Sequence, residues 1–226
     1  ISLGTSLPDI VISTYSTVMG HQEVAISTFL GSALVNVSLL LGFLALFCKY
    51  KLADIDLKKN IPITLGAGIL FIALLLLFNF QVTWIMGVIT IAIFATTIFL
   101  ARKNNHTITV KSEVKFNLLY LILSFLFLVV AGRLCVDNII LTAESFNIAE
   151  SIIGFFILAI GISIPELITS FTVIRKGNLQ LSLGNILGAT TINLLLIPGI
   201  ASFITTLDMK PFVKEIFFLV GAIFVL

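Results

Sequence analysis

Long apolar stretches separated by short polar connections dominate this chain. A membrane-spanning helix needs about 20 mostly apolar residues. The stretches that meet this requirement are 24–47, 61–80, 82–101, 116–143, 150–174 and 180–205, and partial spans lie at 1–19 and 215–226. The pattern predicts an all-α fold, a polytopic bundle of transmembrane helices.

The composition supports a membrane class, since 59% of the residues are hydrophobic and only 11% are charged. A soluble domain carries about a quarter charged residues. We therefore expect a multi-pass integral membrane protein of the plasma (inner) membrane, whose partner is the lipid bilayer. The net charge of +2 is small, and we expect no nucleic-acid partner. The oligomeric state is left open.

Basic residues alternate between the two sides of the predicted membrane. Ten of the thirteen Lys and Arg residues lie in the connections 49–59, 102–115 and 175–176, which fall on one side if every span crosses once. The positive-inside rule makes that side cytoplasmic. Residues 102–115 then form a cytoplasmic loop between a first half, 1–101, and a second half, 116–226.

An internal repeat relates these halves. A shift of 157 residues aligns positions 1–42 with the second half at ten identities without a gap. Most of the matches are Gly, Ser, Pro and Asn rather than the abundant Leu and Ile. We place repeat one at 1–47 and repeat two at 150–205. An odd number of crossings separates them, which predicts two inverted-topology repeats, as in many secondary transporters.

Each repeat carries a Gly-x-Ser-x-Pro-acid motif inside an apolar stretch, at residues 4–9 (GTSLPD) and 161–166 (GISIPE). A proline in a helix frees a backbone carbonyl of the preceding turn, and in hydrocarbon that group needs protein, water or an ion as its partner. Asp9 and Glu166 add carboxylates, and Ser6 and Ser163 add hydroxyls. Such hard oxygen ligands suit Ca²⁺ or Na⁺.

The second part of each repeat adds small and amide residues, with Gly31, Ser32 and Asn36 in the first copy. The second copy has Gly188 and Asn193 at the equivalent positions. The glycines allow close helix contact, and each Asn offers a carbonyl oxygen.

These motifs together resemble the calcium/cation antiporter superfamily, whose best known members are the sodium/calcium exchangers. The resemblance implies that Asp9 and Glu166 are the central Ca²⁺ ligands. Further site residues would be Ser6, Ser163, Asn36, Asn193 and Ser32, with Thr5 helping to bind Na⁺. The family has ten spans, so both halves are expected to be truncated in this chain.

Several positions depart from the family pattern, among them Ser27 and Thr28 in place of Gly-Asn, and Ala33 and Thr190 in place of Asn. Asp9 replaces the usual Glu, Ile162 replaces Thr, and Ala189 replaces Ser. The last two remove hydroxyls from repeat two and put Na⁺ binding in more doubt than divalent binding.

We accordingly expect a secondary antiporter that exchanges Ca²⁺ or a related cation for Na⁺ by alternating access, with no enzyme activity and no cofactor. A cation/proton antiporter of the same fold is the first alternative. An intramembrane enzyme is the second, and it is disfavoured because His21 and His106 lie in predicted loops and no zinc motif occurs.

Overall fold

A computed structural model describes residues 2–42, 57–104 and 118–224. The α-helices are α1 (Ser2–Thr5), α2 (Leu7–Val18), α3 (Gln22–Leu34), α4 (Leu57–Leu77), α5 (Trp84–Asn104), α6 (Leu118–Phe146), α7 (Glu150–Ile153), α8 (Ala159–Ile162), α9 (Ile164–Arg175), α10 (Leu179–Thr191), α11 (Ile197–Ser202) and α12 (Val213–Phe224). The π-helical segments are Val35–Leu40, Gly154–Leu158 and Ile192–Leu196, and Lys210–Phe212 forms a 3₁₀ turn.

The chain is a multi-pass membrane protein, and its described helices form the predicted helical bundle. Four continuous helical runs are long and apolar enough to cross a bilayer, namely Gln22–Leu40, Leu118–Phe146, Glu150–Arg175 and Leu179–Ser202. The predicted spans 61–80 and 82–101 correspond to shorter apolar helical stretches, Pro62–Leu77 and Trp84–Leu100. Most of the predicted loop 102–115 lies outside the described residues.

The two repeats have the same backbone plan. Shifted by 157 residues, the bounds of α1, α2 and α3 become those of α8, α9 and α10. The turn after α2 and the turn after α9 each contain a glycine in the left-handed region, Gly20 at φ 86° and Gly177 at φ 80°. Only glycine adopts this conformation readily, which explains why the repeat retains both. The predicted inverted repeat is therefore present in the fold.

Contacts between the repeats also come in equivalent pairs. A Cβ atom added at Gly31 would lie 2.7 Å from the Cβ of Ala159, and one added at Gly188 would lie 2.7 Å from the hydroxyl of Ser2. Ala159 and Ser2 are themselves related by the shift of 157 residues. Gly31 of repeat one thus packs against α8 of repeat two, and Gly188 of repeat two packs against α1 of repeat one. Small residues allow this close packing of membrane helices.

The helices differ strongly in how much of their surface the bundle covers. In the helix Gln22–Leu40, which begins with α3, 83% of the most apolar 18-residue stretch is buried. The corresponding value for α6 is 11%. The main apolar cluster includes Phe29, Leu30 and Phe71, all at most 1% exposed. Repeat one therefore contributes a core helix, whereas the described bundle leaves most of α6 exposed.

A two-stranded antiparallel ribbon is the one departure from the all-α prediction within the described residues. Strand β1 (Gln81–Val82) pairs with β2 (Leu207–Asp208), so that Val82 lies opposite Leu207. Strand β2 and Gln81 fall in predicted connections between spans, whereas Val82 is the first residue of the predicted span 82–101, whose helix begins only at Trp84. The backbone groups of both strands still need partners near the apolar bundle, and the pairing supplies them.

Candidate functional site

Both acidic motifs interrupt a helix at the same place. Helix α1 ends before Ser6 and α8 ends before Ser163, and a proline follows in the first turn of the next helix. Proline fits this position because the first N–H groups of a helix have no intrahelical partner. The acids Asp9 and Glu166 also lie in that first turn, where the helix dipole favours a negative charge.

The two carboxylates lie equally far from the ends of their helices. Val18, at the end of α2, is nine positions after Asp9, and Arg175, at the end of α9, is nine positions after Glu166. Each distance corresponds to about 14 Å of helix, or about half of a hydrocarbon core that is roughly 30 Å thick. If α2 and α9 end at opposite membrane faces, as the predicted topology requires, both acids are expected near the midplane.

The repeats meet at these carboxylates. The hydroxyl of Ser32 donates to Oδ1 of Asp9 at 2.8 Å, within repeat one. The hydroxyl of Ser6 donates to Oε1 of Glu166 at 3.2 Å, from repeat one to repeat two. All four side chains are at most 1% exposed, and the carboxylates are close enough to interact electrostatically. The structure thus brings Asp9, Glu166, Ser6 and Ser32 together.

Several polar atoms of this site have no hydrogen-bond partner. They are Oδ2 of Asp9, Oε2 of Glu166 and both amide heteroatoms of Asn36 and Asn193. Both Asn side chains are fully buried and lie in the π-helical segments that follow α3 and α10. Asn193 is near the Asp9 carboxylate, although it completes no hydrogen bond. Buried polar groups are costly without partners, so this arrangement suits an ion.

Two predicted site residues make different contacts. The Ser163 hydroxyl donates back to the carbonyl of Ala159 at 2.8 Å instead of reaching a carboxylate. The Thr5 hydroxyl donates to the carbonyl of Ser2 at 3.1 Å, although Thr5 lies near Glu166. Such bonds to the preceding turn are common for Ser and Thr in helices. The O–H groups of these two residues are therefore directed at backbone carbonyls in this conformation, rather than at the carboxylates.

The sequence reasoning missed the buried pair formed by Ser170 and Asn185. The Nδ2 atom of Asn185 donates to the Ser170 hydroxyl at 3.3 Å, one helical turn beyond Glu166. The repeat contains a signal for this pair, because Ser13 and Ser170 are identical across the shift.

The sequence reasoning also missed a contact near the end of α2. The Nδ1 atom of His21 lies 3.0 Å from each carboxylate oxygen of Glu150.

That contact borders a cavity of about 650 Å³ on the side opposite the Arg175–Lys176 turn. Its lining includes four acidic residues, namely Glu23, Glu144, Glu150 and Asp208, and no Lys or Arg among the described residues. A concave surface of one charge attracts ions of the opposite charge.

Inverted repeats of interrupted helices around two buried carboxylates define a secondary transporter of cations. The chain belongs to the family described as sodium/calcium exchanger protein, whose model matches residues 1–102 and 116–226. This is a family of transporters rather than of enzymes.

Relatives and a solved structure agree with this membership. The chain is 29% identical over 225 residues to inner membrane protein YrbG of Escherichia coli, covering 93% of this chain and 69% of that protein. It is 30% identical to the uncharacterized membrane protein MJ0091 of Methanocaldococcus jannaschii, covering 83% of this chain and 63% of that protein. The sodium-calcium exchanger NCX_Mj, soaked with Na⁺ and Sr²⁺, matches with a TM-score of 0.72 at 26% identity, over 99% of this chain and 74% of its own.

Proposed function

We propose that this chain is the ion-translocating part of an antiporter that exchanges Ca²⁺, or a related cation, for Na⁺ by alternating access. The observation that carries the proposal is the pair of buried carboxylates at the interface of the repeats. Asp9 and Glu166 each keep one oxygen without a partner. We place the protein in the plasma (inner) membrane, as the description of the Escherichia coli relative suggests.

The charge of the site favours a divalent cation. The ion pairs in the described part of the chain involve neither Asp9 nor Glu166, so no base neutralises them there. Two ionised carboxylates carry a charge of −2, which one Ca²⁺ balances. An isolated charge at this depth costs about 2.5–3.5 kcal/mol on insertion scales, and cation binding offsets that cost.

Neutral oxygens complete the proposed ligand set. Ca²⁺ takes about six to eight oxygen ligands. Ser6 and Ser32 already contact the carboxylates, and Asn36 and Asn193 have free amide oxygens. Of the predicted ligands, Ser163 and Thr5 would contribute least, because their hydroxyls lie against the carbonyls of Ala159 and Ser2. Because Na⁺ also binds oxygen ligands, the two ions compete for the same carboxylates, and this competition couples their fluxes.

Flux measurements on the full-length protein in lipid vesicles test the site. Vesicles loaded with radioactive Ca²⁺ receive a Na⁺ gradient, and release of Ca²⁺ is followed. Asp9→Asn or Glu166→Gln removes half of the site's charge, and we expect either to lower Ca²⁺ flux at least about 100-fold, as loss of a central charged contact of about 3 kcal/mol would do.

The matched control is Glu113→Gln, which makes the same change at an acid of the predicted loop 102–115, far from both motifs in the sequence. It should retain flux close to that of the unmodified protein. Normal flux in both Asp9→Asn and Glu166→Gln would contradict the assigned site.

A specific observation supports the alternative of cation/proton exchange. Ala189 stands where repeat one has Ser32, and Ser163 donates to Ala159, so repeat two offers Glu166 no hydroxyl of its own. A proton needs only the carboxylate, whereas Na⁺ needs an oxygen shell. Ca²⁺ movement that follows a pH gradient without Na⁺ would favour cation/proton exchange. Ca²⁺ movement that requires Na⁺ would favour Ca²⁺/Na⁺ exchange.

A further inference from the structure

A line of buried polar side chains leads away from Glu166 along the α9–α10 hairpin. Ser170 lies one turn after Glu166 on α9, and Ser182 lies three residues before Asn185 on α10. Residues at these spacings are neighbours on one helix face. The hydrogen bond from Asn185 to Ser170 connects the two helices at 3.3 Å. We call Glu166, Ser170, Asn185 and Ser182 the polar file; none is more than 3% exposed.

Three oxygen atoms along this polar file lack a hydrogen-bond partner. They are Oε2 of Glu166, Oδ1 of Asn185 and Oγ of Ser182. In hydrocarbon, polar atoms without partners are tolerated where they line a cavity or a water path. Carboxylate, amide and hydroxyl oxygens are the ligands of hard cations and of the water around them. The polar file therefore has the chemistry of an ion path.

The equivalent side chains of repeat one either donate to backbone carbonyls or carry no polar atom. Ser13, the counterpart of Ser170, donates to the carbonyl of Ala25 at 3.5 Å. Thr28, the counterpart of Asn185, donates to the carbonyl of Val24 at 2.6 Å. Ala25 itself stands in place of Ser182 and has no polar side chain. The polar file is thus specific to repeat two and is not a general consequence of the repeated fold.

The polar file points toward the turn after α9. Ser170 lies about 8 Å, and Ser182 about 5 Å, along their helices from the ends that flank this turn. The Arg175 and Lys176 charges of the turn assign it to the cytoplasm. The guanidinium of Arg175 sits 4.6 Å from the centre of the Phe171 ring, which holds this cation away from the helix face of Ser170.

An apolar cluster includes residues of the same two helices, α9 and α10. It consists of Leu40, Leu41, Ile174, Ile186 and Leu187. Ile174 follows Ser170 by one turn on the same face of α9. Ile174 therefore lies between Ser170 and the turn on α9. Leu179, which packs against the cluster, lies between Ser182 and the turn on α10, and Ser182 is fully buried in this conformation.

We propose that Ser170, Asn185 and Ser182 form a relay that passes small hard cations, with their water, between Glu166 and the cytoplasmic face. The relay opens when the apolar cluster parts during the transport cycle. This inference rests on the proposed function, since it requires Glu166 to be a transport site. It adds a side-specific route that repeat one does not provide on the opposite face.

Side-specific kinetics of the full-length protein in oriented vesicles test the relay. In Asn185→Leu, which keeps the approximate volume and removes the amide, the apparent KM for Ca²⁺ applied at the cytoplasmic face should rise about tenfold, the change that corresponds to about 1.4 kcal/mol. The KM at the external face should not change. The control Thr28→Val should change neither value. A change that is equal at both faces, or no change, would overturn the relay.

Labelling gives a readout that does not depend on Ca²⁺ flux. Ser182→Cys and, as its control, Thr28→Cys are made with Cys48 and Cys135 replaced by Ser. A charged methanethiosulfonate reagent added from the cytoplasmic side should label position 182, more slowly in the presence of Ca²⁺, and should not label position 28. Failure to label position 182, or labelling from the external side, would refute the relay even if Asn185→Leu does not fold. Absence of Na⁺-driven Ca²⁺ flux in the unmodified protein would instead refute the proposed function.

Discussion

The two repeats share a backbone and differ in how their side chains use it. Helices α2 and α9 begin and end at positions related by 157 residues, and each presents an acid in its first turn. Asp9 accepts its hydrogen bond from Ser32 of the same repeat. Glu166 accepts its hydrogen bond from Ser6 of the other repeat. The comparison shows that the backbone sets the position of each carboxylate, while individual hydroxyls decide its partner.

Two side chains of repeat two explain this difference: the methyl group of Ala189 and the rotamer of Ser163. Ala189 occupies the position of Ser32 in repeat two and offers no donor. Ser163, the counterpart of Ser6, turns its hydroxyl toward the carbonyl of Ala159. Glu166 therefore depends on repeat one for its hydroxyl contact, whereas Asp9 does not depend on a hydroxyl of repeat two.

Beyond the two acids, the largest effect should come from the two amides, where the repeats are alike. Asn36→Leu and Asn193→Leu each remove a buried oxygen that has no protein partner. If both oxygens bind the transported ion, each variant should weaken the apparent affinity for Ca²⁺ by up to about 100-fold, which corresponds to about 3 kcal/mol. Ca²⁺ titration of the flux in vesicles measures it.

The control for this pair is Asn138→Leu, because the Asn138 amide is exposed and donates to the carbonyl of Leu134 on its own helix. It should leave the affinity unchanged. A loss confined to one member of the buried pair would show that the two repeats contribute unequally even at their identical residues.

A smaller effect should separate the two motif serines. Ser6→Ala removes the hydroxyl that contacts Glu166, and we expect the apparent affinity for Ca²⁺ to fall about tenfold, because a hydrogen bond to a charged group contributes about 1.5–3 kcal/mol. Ser163→Ala removes a bond to its own helix and should change the affinity less than about twofold. Equal losses in the same titration would mean that both hydroxyls bind the ion, and the asymmetry would be wrong.

The smallest effect should fall on stability rather than on transport. A Cβ at Gly31 would lie 2.7 Å from the Ala159 Cβ and 3.1 Å from the carbonyl oxygen of Phe155, so two helices must separate. We expect Gly31→Ala to destabilise the protein by about 1 kcal/mol. At Gly188 the nearest atoms are the hydroxyl and the Cβ of Ser2, at 2.7 and 3.0 Å. The hydroxyl can rotate and no backbone atom of another described helix is within 4 Å, so Gly188→Ala should cost less.

Thermal unfolding of the purified protein in detergent measures both changes. Gly66→Ala serves as the reference, since nothing lies within 4 Å of a Cβ at that position, and alanine favours a helix more than glycine does by about 1 kcal/mol. A melting temperature of Gly31→Ala at or above that of Gly188→Ala would contradict the proposed difference in packing.

The membrane class, the repeat and the pair of motif acids follow from the order of residues along the chain. Apolar runs reflect the thickness of the bilayer, and the identities between repeats reflect a backbone that is used twice. The pattern is therefore enough to single out Asp9 and Glu166. The same reasoning could not anticipate β1 and β2, or the π-helical segments that carry Asn36 and Asn193.

Which of the candidate oxygens meet depends on the packing of the helices. Ser6 and Ser163 are equivalent in the sequence, yet only Ser6 contacts a carboxylate, at a residue 160 positions away. The polar file of repeat two likewise arises from the packing of α9 against α10. Hydrogen bonds reach little beyond 3 Å, so their partners depend on how helices pack and which rotamers fit, and a pattern along the chain does not record either.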